Sequence, residues 1–317
     1  MKHFLSISDI PDFSKAIDHA IDLKKNPLAH SKTGKGKKIA MVFFNPSLRT
    51  RCSTQIAAEN LGLNTFILDV GAQTWPIEFS MSTTMDGKSS EHIKEAAMVL
   101  STYFDLIAIR SFPTLKDKKR DLSEFVLNRF QQCASVPIIN MESATRHPLQ
   151  SFADAMCIKE TRIDKPKVVL SWAPHPKAIP HSVPNSFVQM CKAVNYDLVI
   201  TNPPGYDLNP EITSGFQVVH QQEKAFEKAD IVYAKNWSSF DDYGQVLNHH
   251  PNWIIDQNKM DLTNNAKFMH CLPVRRNVVV TDDVLDSKNT LIQQQVNNRI
   301  FSAQYVIKSI LTHVSFH

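Results

Sequence analysis

The 317-residue sequence predicts an α/β protein with two doubly wound parallel-sheet domains. Short runs rich in Val and Ile recur along the chain, amphipathic helical patterns separate them, and 43% of the residues are hydrophobic. Parallel strands that are buried on both faces form near-continuous apolar runs, and helices supply the crossovers between them. The length suits two α/β domains better than one.

The predicted elements alternate along the chain. The strands cover residues 38–44, 65–70, 105–109, 136–140, 167–172, 197–201, 230–233, 267–271 and 290–293, and the clearest helices cover 91–104, 122–132, 148–160, 184–193 and 297–312. About four strands precede residue 145 and about five follow it, which places a domain boundary near 143–146. We expect a first domain over 1–145, a second over 146–296, and a C-terminal helix over 297–317 that completes the first domain.

Composition narrows the function classes. The net charge of +4 does not demand a nucleic-acid partner, and five cysteines, an odd number, suggest a reducing compartment without a disulfide framework. The first residues, "MKHFLSISDIPDFSKAID", lack an apolar core of signal-peptide length, and no apolar run reaches the roughly 20 residues of a membrane span. We therefore expect a cytoplasmic protein with no membrane partner.

Polar residues follow most of the predicted strands. In open parallel sheets, ligands bind at the carboxyl ends of the strands. The residues at those ends include Ser47, Leu48, Arg49, Thr50, Arg110, Glu142, His147, Gln150, His175, Lys177, Lys235, His270, Cys271, Arg275 and Arg276. The repetition of charged and hydrogen-bonding groups at successive strand ends predicts a ligand site there.

The stretch "FFNPSLRTR", residues 43–51, combines a strand end with a helix start. Asn45-Pro46 forces a turn, and a helix N-terminus attracts anions through its unpaired N–H groups. Ser47 can cap this helix, while Arg49 and Thr50 add charged and neutral donors. The arrangement suits a phosphate; the alternative is an ordinary capped helix with two solvated arginines. Motifs of the GxxxxGKS and GxGxxG type are absent, so neither an ATP-binding P-loop nor a dinucleotide cofactor is expected.

Two further stretches carry candidate chemistry. In "TRHPLQSFAD", His147 can donate to a carbonyl oxygen and Gln150 can bond an amide, although His147 could also simply cap a helix. In "FMHCLPVRRN", Cys271 resembles a nucleophile but lacks a designated base beyond His270, so a wall or backbone contact is favoured. No CxxC or HxxxH partner accompanies this pair, and no metal is expected.

The three motifs Ser-x-Arg-Thr-Arg, His-Pro-x-Gln and His-Cys-Leu-Pro, in this order, resemble the aspartate/ornithine carbamoyltransferase family over nearly the whole chain. The stretches "MDGKSSEHIKEA", "WAPHPKAIPHSVPNS", "YAKNW", "TNNAKFMHCLPVRRN" and "TDDV" look like its N-acylornithine branch, particularly the enzymes that act on N-succinylornithine. The Asp-x-x-x-Ser-Met-Gly loop of ornithine enzymes is not found, and "AKNWSSFDDYG" stands in its region. This departure argues against free ornithine as the substrate.

The resemblance implies carbamoyl transfer to an acylornithine in arginine biosynthesis. It implies a catalytic set of Arg49, Thr50, Arg110, His147, Cys271 and Arg275, and a carbamoyl phosphate set of Ser47, Leu48 through its backbone, Arg49, Thr50, Trp75, Arg110, His147, Gln150, Leu272 and Arg299. The implied acylornithine set is Ser90, Glu142, His175, Lys177, Lys235 and Arg275. Lys177 or Lys235 could pair with a succinyl carboxylate; the alternative for both is a solvated loop charge.

The resemblance also implies an assembly and a chain path. The family is a homotrimer with active sites between subunits, and Trp75 would reach the neighbouring subunit's carbamoyl phosphate, although its sequence context equally allows a core position. In the acylornithine branch a proline-dense loop like "WAPHPKAIPHSVP" is threaded, which predicts a knotted loop in the second domain.

Three alternative functions are a transferase for N-acetylornithine, a regulatory protein and a dehydrogenase. Enzymes that act on N-acetylornithine carry Glu where Ser90 stands and a modified lysine where Val279 stands; the succinyl enzymes carry Pro at the first position, so Ser90 matches neither. A non-catalytic regulatory protein on the same scaffold should have lost Arg49, Arg110 or His147. A dehydrogenase would need the missing glycine-rich turn. The residues favour carbamoyl transfer, and they favour N-succinylornithine over N-acetylornithine as the substrate.

Overall fold

The computed structural model describes residues 1–313. The end of the predicted C-terminal helix, 314–317, lies outside the described residues. The chain divides into two compact units, Met1–Leu149 with the segment from Arg299 onward, and Gln150–Asn298. The described chain contains no helix that is both long enough and apolar enough to cross a membrane.

The first unit is built on a four-stranded parallel sheet in the order β2-β1-β5-β6. Its elements are α1 (Phe13–Lys25), β1 (Lys38–Phe43), α2 (Arg49–Asn60), β2 (Asn64–Asp69), β3 (Ile77–Glu78), β4 (Glu91–His92), α3 (Ile93–Tyr103), β5 (Leu106–Arg110), α4 (Lys118–Leu122), α5 (Phe125–Cys133) and β6 (Ile138–Glu142). The chain passes from β1 to β2 on one side and then to β5 on the other. The order of this sheet therefore reverses between β1 and β5, where ligands bind in doubly wound folds.

The second unit is built on a five-stranded parallel sheet in the order β11-β10-β7-β8-β9. Its elements are α6 (Pro148–Glu160), which starts at the boundary, β7 (Lys167–Trp172), α7 (Ser182–Ala193), β8 (Asp197–Thr201), α8 (Pro210–Thr213), β9 (Gln217–Val219), α9 (Gln222–Phe226), β10 (Ile231–Lys235), α10 (Gln257–Met260), β11 (Lys267–Met269), α11 (Asp282–Leu285) and α12 (Ile292–His313), which ends in the first unit. The strand order of this sheet reverses between β7 and β10. We call the reversal between β1 and β5 the first switch point and the reversal between β7 and β10 the second switch point.

The two sheets confirm the predicted α/β class with two parallel-sheet domains, but the predicted strand over 290–293 is wrong. Thr290 forms only an isolated bridge with Phe268, and α12 begins two residues later at Ile292. The sequence "QQQ" at 293–295 favours a helix, because unbranched side chains lose little rotamer freedom there. The fifth strand of the second sheet is instead β9, Gln217–Val219, which was not predicted.

Two predicted helices of the first unit are also shorter than expected. Residues 91 and 92 form β4, which pairs with β3 in a separate two-stranded sheet, so the helix predicted over 91–104 begins at Ile93. The helix predicted over 122–132 is interrupted at Glu124, whose φ of 52° lies in the left-handed region. That conformation cannot continue an α-helix, and α5 starts after it.

The proline-dense segment after β7 is tied to the segment after β10. Asn236 Nδ2 donates to the carbonyl of Ala173 at 2.8 Å, and the backbone N–H of Ser238 donates to the carbonyl of Ile179 at 3.1 Å. The indole N–H of Trp172 donates to the carbonyl of Trp237 at 2.9 Å. These bonds hold the two loops of the second switch point together. That the chain is threaded here stays a prediction.

Candidate active site at the two switch points

The turn after β1 is held in place by the last residue of the adjacent strand. Arg110 ends β5 and donates from Nη1 to the carbonyl oxygens of Asn45 at 2.9 Å and Pro46 at 2.8 Å. The Ser47 hydroxyl accepts the backbone N–H of Thr50 at 3.2 Å, so it caps the first turn of α2 as predicted. The Leu48 side chain is exposed, which leaves its backbone as the part available to a ligand. The turn is therefore preorganised before any anion binds.

The two arginines of this turn have different surroundings. Arg51 forms an ion pair with Asp69 at the end of β2 and lies over the Phe43 ring, with 4.8 Å between its Cζ and the ring centroid. Among residues 1–313, Arg49 makes no ion pair. It is half-buried near Arg110, and its positive charge lowers the pKa of Arg110. Arg51 therefore stabilises the strand end, and Arg49 is the cation left available to a ligand.

Behind the turn lies a buried network of charged and polar groups. Arg110 donates from Nε to Glu142 Oε2 at 3.2 Å, and His147 Nε2 lies 3.5 Å from the same oxygen. Arg299 approaches the same ring nitrogen, with its Nη1 3.3 Å from His147 Nε2, and Arg299 Nη2 donates to Thr50 Oγ1 at 3.2 Å. All five side chains are less than 9% exposed.

The network places two arginines and one glutamate in a region that water does not reach. Burial lowers the pKa of Arg110, and the Glu142 carboxylate opposes that shift. A neutral His147 accepts from Arg299, because a guanidinium can only donate, and a protonated His147 donates to Glu142. Sequence reasoning assigned Glu142 to the second substrate, whereas the structure joins it to Arg110 and His147. Nothing in the sequence around Glu142 indicated this pairing except its place at the end of β6.

Trp75 and Ser90 are brought together by the small sheet of β3 and β4. The indole N–H of Trp75 donates to Glu91 Oε2 at 2.6 Å, and the backbone N–H of Ser90 donates to the Pro76 carbonyl at 3.3 Å. Trp75 is 57% exposed, which decides against a core position for its ring. Both predicted site residues therefore lie on one exposed loop of the first unit.

The second switch point gathers cations around one imidazole. Arg275 donates from Nε to His175 Nε2 at 3.2 Å. Since that nitrogen accepts, the neutral ring carries its proton on Nδ1, which lies 2.9 Å from the Lys177 carbonyl. Burial lowers the pKa of His175, and the charges of Arg275, Lys235 and Lys177 lower it further, while its bond to the Lys177 carbonyl raises it. Four predicted acylornithine residues therefore form one electropositive cluster.

A cavity of about 310 Å³ opens beside this cluster. It is lined by Pro174, His175, Pro176, His249, Pro251, Ile254, Arg275, Asn277 and Val278. Its wall is largely proline and aliphatic, with His175 and Arg275 as the predicted polar members. His249, Ile254 and Asn277 were not predicted, because they follow no strand end. The cavity offers an apolar surface next to fixed positive charge.

The remaining predicted residues of the second unit follow β11 or lie on α6. Cys271 is buried, and Leu272 has a φ of 58°, a left-handed conformation that is rare for leucine. The N–H of Leu272 donates to His270 Nδ1 at 2.9 Å. Gln150 is buried near the start of α6 and donates from Nε2 to Asp154 Oδ1 at 2.8 Å. Within residues 1–313 no group of three or more His, Cys, Asp or Glu side chains could hold a metal ion.

The sequence matches one family over both units. Residues 2–160 match the family described as aspartate/ornithine carbamoyltransferase, carbamoyl-P binding domain, and residues 180–313 match its Asp/Orn binding domain. N-succinylornithine carbamoyltransferase of Bacteroides fragilis (strain 638R) is 44% identical over 317 residues, covering 99% of this chain and 100% of that protein. N-acetylornithine carbamoyltransferase of Xylella fastidiosa (strain Temecula1 / ATCC 700964) is 37% identical over 334 residues, covering 98% of each.

Solved structures of similar proteins have the same fold. Acetylornithine transcarbamylase complexed with acetylcitrulline has a TM-score of 0.93 at 36% identity, with 98% of this chain and 99% of that chain covered. A variant of N-acetyl-L-ornithine transcarbamylase in which one glutamate is replaced by serine, complexed with carbamyl phosphate and N-succinyl-L-norvaline, has a TM-score of 0.92 at 37% identity, covering 98% of this chain and 100% of that chain.

Proposed function

Because the chain belongs to the aspartate/ornithine carbamoyltransferase family and is a carbamoyltransferase, we propose that it carbamoylates the δ-amine of N-succinyl-L-ornithine. The products are N-succinyl-L-citrulline and phosphate, in arginine biosynthesis. The observation that carries the choice of acceptor is the cluster of Lys177, Lys235 and Arg275 around His175. Three cations at one switch point suit an acceptor that brings two carboxylates.

The first unit binds carbamoyl phosphate in this proposal. Its phosphate is held at the start of α2 by Ser47, the backbone of Leu48, Arg49 and Thr50, and Arg110 bridges the phosphate and the carbonyl oxygen. The supporting observations are the preorganised turn and the unpaired Arg49 described above. The carbonyl group is polarised by Thr50, His147 and Arg299. Arg299 links the other two, because it contacts both His147 and Thr50. Gln150 and the backbone at Leu272 complete the proposed carbamoyl phosphate set and contact the NH2 group of the carbamoyl moiety.

The reaction needs no protein nucleophile. An alkyl amine has an unperturbed pKa of about 10.4, so the site has to select or generate the neutral form. Its lone pair attacks the carbamoyl carbon, and the carbonyl oxygen becomes an oxyanion. The C–O bond to phosphate then breaks, and the departing phosphate accepts the proton that the amine loses. The donors Thr50, Arg110 and His147 stabilise the oxyanion, and Arg49 and Arg110 stabilise the departing phosphate. Cys271 acts as a wall of the pocket rather than as a nucleophile.

The second unit binds the acylated amino acid. The α-amine is no longer cationic once it is acylated, so the site has to bind carboxylates and an amide. Arg275 and His175 suit the α-carboxylate, and Lys177 or Lys235 suits the succinyl carboxylate. The proline-lined cavity beside them has room for apolar methylene groups. Glu142, which is paired with Arg110, also belongs to the proposed acylornithine set.

Ser90 supports the succinyl compound over the acetyl one. Acetyl enzymes carry glutamate at this position, which fills space and repels a carboxylate. We infer that this is the glutamate replaced by serine in the transcarbamylase variant complexed with N-succinyl-L-norvaline. Serine, small and uncharged, leaves room for a four-carbon acyl group. N-acetyl-L-ornithine is the rival acceptor, favoured by the names of the relatives at 37% identity.

The test of the proposed reaction is product identification. Purified protein is incubated with carbamoyl phosphate and, in separate reactions, N-succinylornithine, N-acetylornithine and ornithine, and the ureido product is identified by mass spectrometry. We expect N-succinylcitrulline as the dominant product. Dominant N-acetylcitrulline would contradict the acyl assignment alone, and no ureido product from any amine would favour a non-catalytic regulatory protein on this scaffold.

We also propose a cytoplasmic homotrimer, with a first domain over 1–145 and 297–317 for carbamoyl phosphate and a second over 146–296 for acylornithine. The exposed ring of Trp75 supports a shared site, because it is available to a neighbouring subunit. Mixing Trp75→Ala subunits with Arg49→Ala subunits should restore activity, since some mixed interfaces combine two intact residues. No recovery after complete subunit exchange would contradict shared sites.

A further inference from the structure

The buried carboxylate of Asp154 joins two glutamine side chains in the second unit. Asp154 lies one helical turn after Gln150 on α6 and is 0% exposed. Its Oδ1 accepts from Nε2 of Gln150 and from Nε2 of Gln295, each at 2.8 Å. Burial of a charged carboxylate is costly unless donors compensate it, so these two amides stabilise Asp154.

The same bonds fix the orientation of both amides. An ionised carboxylate can only accept, so each glutamine has to present its NH2 group to Asp154. Gln295 provides an independent check, because its Oε1 accepts the backbone N–H of His270 at 2.9 Å and its NH2 therefore points the other way. By the same logic the NH2 of Gln150 is used by Asp154. The oxygen of Gln150 is then the atom of this amide suited to a donor on a ligand.

Two further titratable groups near Asp154 are neutral. After burial, which acts first, the charge of Asp154 raises the pKa of the Tyr233 hydroxyl and of the Cys191 thiol. Both groups lie in the core of the second unit and remain neutral. The geometry around Asp154 therefore consists of two glutamine amides that donate to its Oδ1 and of neutral groups in the core.

We propose that Asp154 is a positioning residue for carbamoyl transfer: it holds the Gln150 amide so that its oxygen, and not its nitrogen, meets the NH2 of the carbamoyl group. The inference rests on the proposed role of Gln150. The two ends of a glutamine amide have similar shape, and a half-turn exchanges its donor and acceptor. The turned amide would direct N–H groups at the N–H groups of the substrate. Asp154 disfavours the turned orientation of the Gln150 amide. It also connects Gln150, by way of Gln295, to the backbone N–H of His270.

The direct test compares two ligands that differ only at this contact. Carbamoyl phosphate carries NH2 where acetyl phosphate carries CH3. By calorimetry, wild-type protein should prefer carbamoyl phosphate by about tenfold or more, the worth of one hydrogen bond to a buried acceptor. Asp154→Ala should reduce that preference to about twofold, since the amide can then turn. Inorganic phosphate, which Gln150 does not contact, should bind both proteins within about twofold.

A second experiment exchanges the two groups, which keeps the total charge. Gln150→Glu alone places two carboxylates together and should lower kcat/KM for carbamoyl phosphate at least about tenfold. In the double variant Gln150→Glu/Asp154→Asn, the new amide at position 154 donates to the new carboxylate at position 150, whose second oxygen still accepts from substrate. We expect the double variant to recover several-fold over Gln150→Glu, with melting temperatures recorded for every variant.

The chain offers a matched control on its surface. On α10, Gln257 donates from Nε2 to Asp261 Oδ1 at 2.6 Å with the same four-residue spacing, and this pair is exposed. The same exchange there should leave kcat/KM and the ligand preference unchanged. An effect that follows merely from the change of charge would appear at both pairs.

The outcomes separate this inference from the acceptor assignment. An unchanged ligand preference in Asp154→Ala, or losses in the double variant that simply add, would overturn the positioning role. A wild-type protein that binds both acyl phosphates equally would overturn it too, because Gln150 would then not contact the NH2 group. The binding comparison needs no acceptor amine, so a wrong acyl group would change turnover and leave the ligand preference intact.

Discussion

The two switch points handle charge in opposite ways. In the first unit, Arg110 is paired with Glu142 in a buried network and Arg51 with Asp69, while Arg49 makes no ion pair in the described chain. In the second unit, His175 is surrounded by Lys177, Lys235 and Arg275, and Lys177 and Arg275 are exposed. The first edge holds its charges in a buried, hydrogen-bonded network, and the second presents exposed cations beside an apolar cavity.

This difference matches the two tasks of the proposed reaction. The chemical step takes place on carbamoyl phosphate, and preorganised donors stabilise a transition state best when water is excluded and nothing has to move. The acceptor amine is larger and needs recognition along its length, which an open cationic edge and an apolar cavity supply. Changes in the turn after β1 should therefore reduce turnover with any acceptor, and changes in the cationic cluster around His175 should alter the choice of acceptor.

The largest expected effect is that of Arg49→Ala. Removal of a charged donor from the phosphate site should lower kcat by about 10²–10³-fold with either acylornithine, because the developing charge on the phosphate loses a fixed partner. Steady-state kinetics with both acceptors measure this. The matched control is Arg51→Ala in the same turn, which should lower the melting temperature while kcat per folded protein stays near the wild-type value.

Equal effects of these two substitutions on kcat would mean that the ion pair of Arg51 with Asp69 does not separate their roles. A near-normal kcat in Arg49→Ala would remove Arg49 from the mechanism. Either result would break the distinction between a paired and an unpaired arginine at the first switch point.

A smaller, selective effect is expected from Lys235→Met. Lys235 ends β10 and is half-buried, so its loss should lower kcat/KM for N-succinylornithine by about tenfold, the worth of a charge-assisted hydrogen bond. Lys177 is exposed, and Lys177→Met should cost only a few-fold. Kinetics with N-acetylornithine, which lacks the second carboxylate, serve as the control. Equal losses with both acceptors would contradict recognition of the succinyl carboxylate by these lysines.

The smallest effect is a shift in the titration of His175. Burial and then the neighbouring cations lower its pKa from the ordinary value of 6.5, so the neutral ring and its bond to Arg275 persist above that pH and are lost as the pH falls through the lowered value. A bound dicarboxylate adds negative charge and should raise this pKa, and Lys235→Met should raise it in the free protein. NMR titration of labelled histidine measures both shifts. A pKa unaffected by ligand would mean that the acyl group binds elsewhere.

Much of this arrangement is predictable from the sequence because strand ends mark ligand sites. The groups after β1, β5, β7 and β10 were all identified as polar residues that interrupt apolar runs. The strand predicted at 290–293 failed because a short apolar run gives no period that separates a strand from the first turn of a helix. β9 was missed because three residues are too few to show a pattern.

Partners between distant segments were beyond the reach of sequence patterns. The pairing of Glu142 with Arg110 joins residues 32 apart, and the bond between Gln295 and Asp154 joins residues 141 apart. Neither pair has a fixed spacing that a pattern could detect. The exception is Gln150 with Asp154, because a four-residue spacing on a helix predicts contact. The surface pair Gln257 and Asp261 has the same spacing, so the sequence alone does not show which of the two pairs is buried.

The central claim is that the protein selects an acceptor with a second carboxylate, through the cations around His175 and the small side chain of Ser90, and direct competition tests it. Wild-type protein with carbamoyl phosphate and an equimolar mixture of N-succinylornithine and N-acetylornithine gives the ratio of the two kcat/KM values. We predict a ratio in favour of the succinyl compound, reversed toward the acetyl compound in Ser90→Glu, where added bulk and charge oppose the longer acyl group. A wild-type ratio in favour of N-acetylornithine would contradict the claim and leave carbamoyl transfer itself standing.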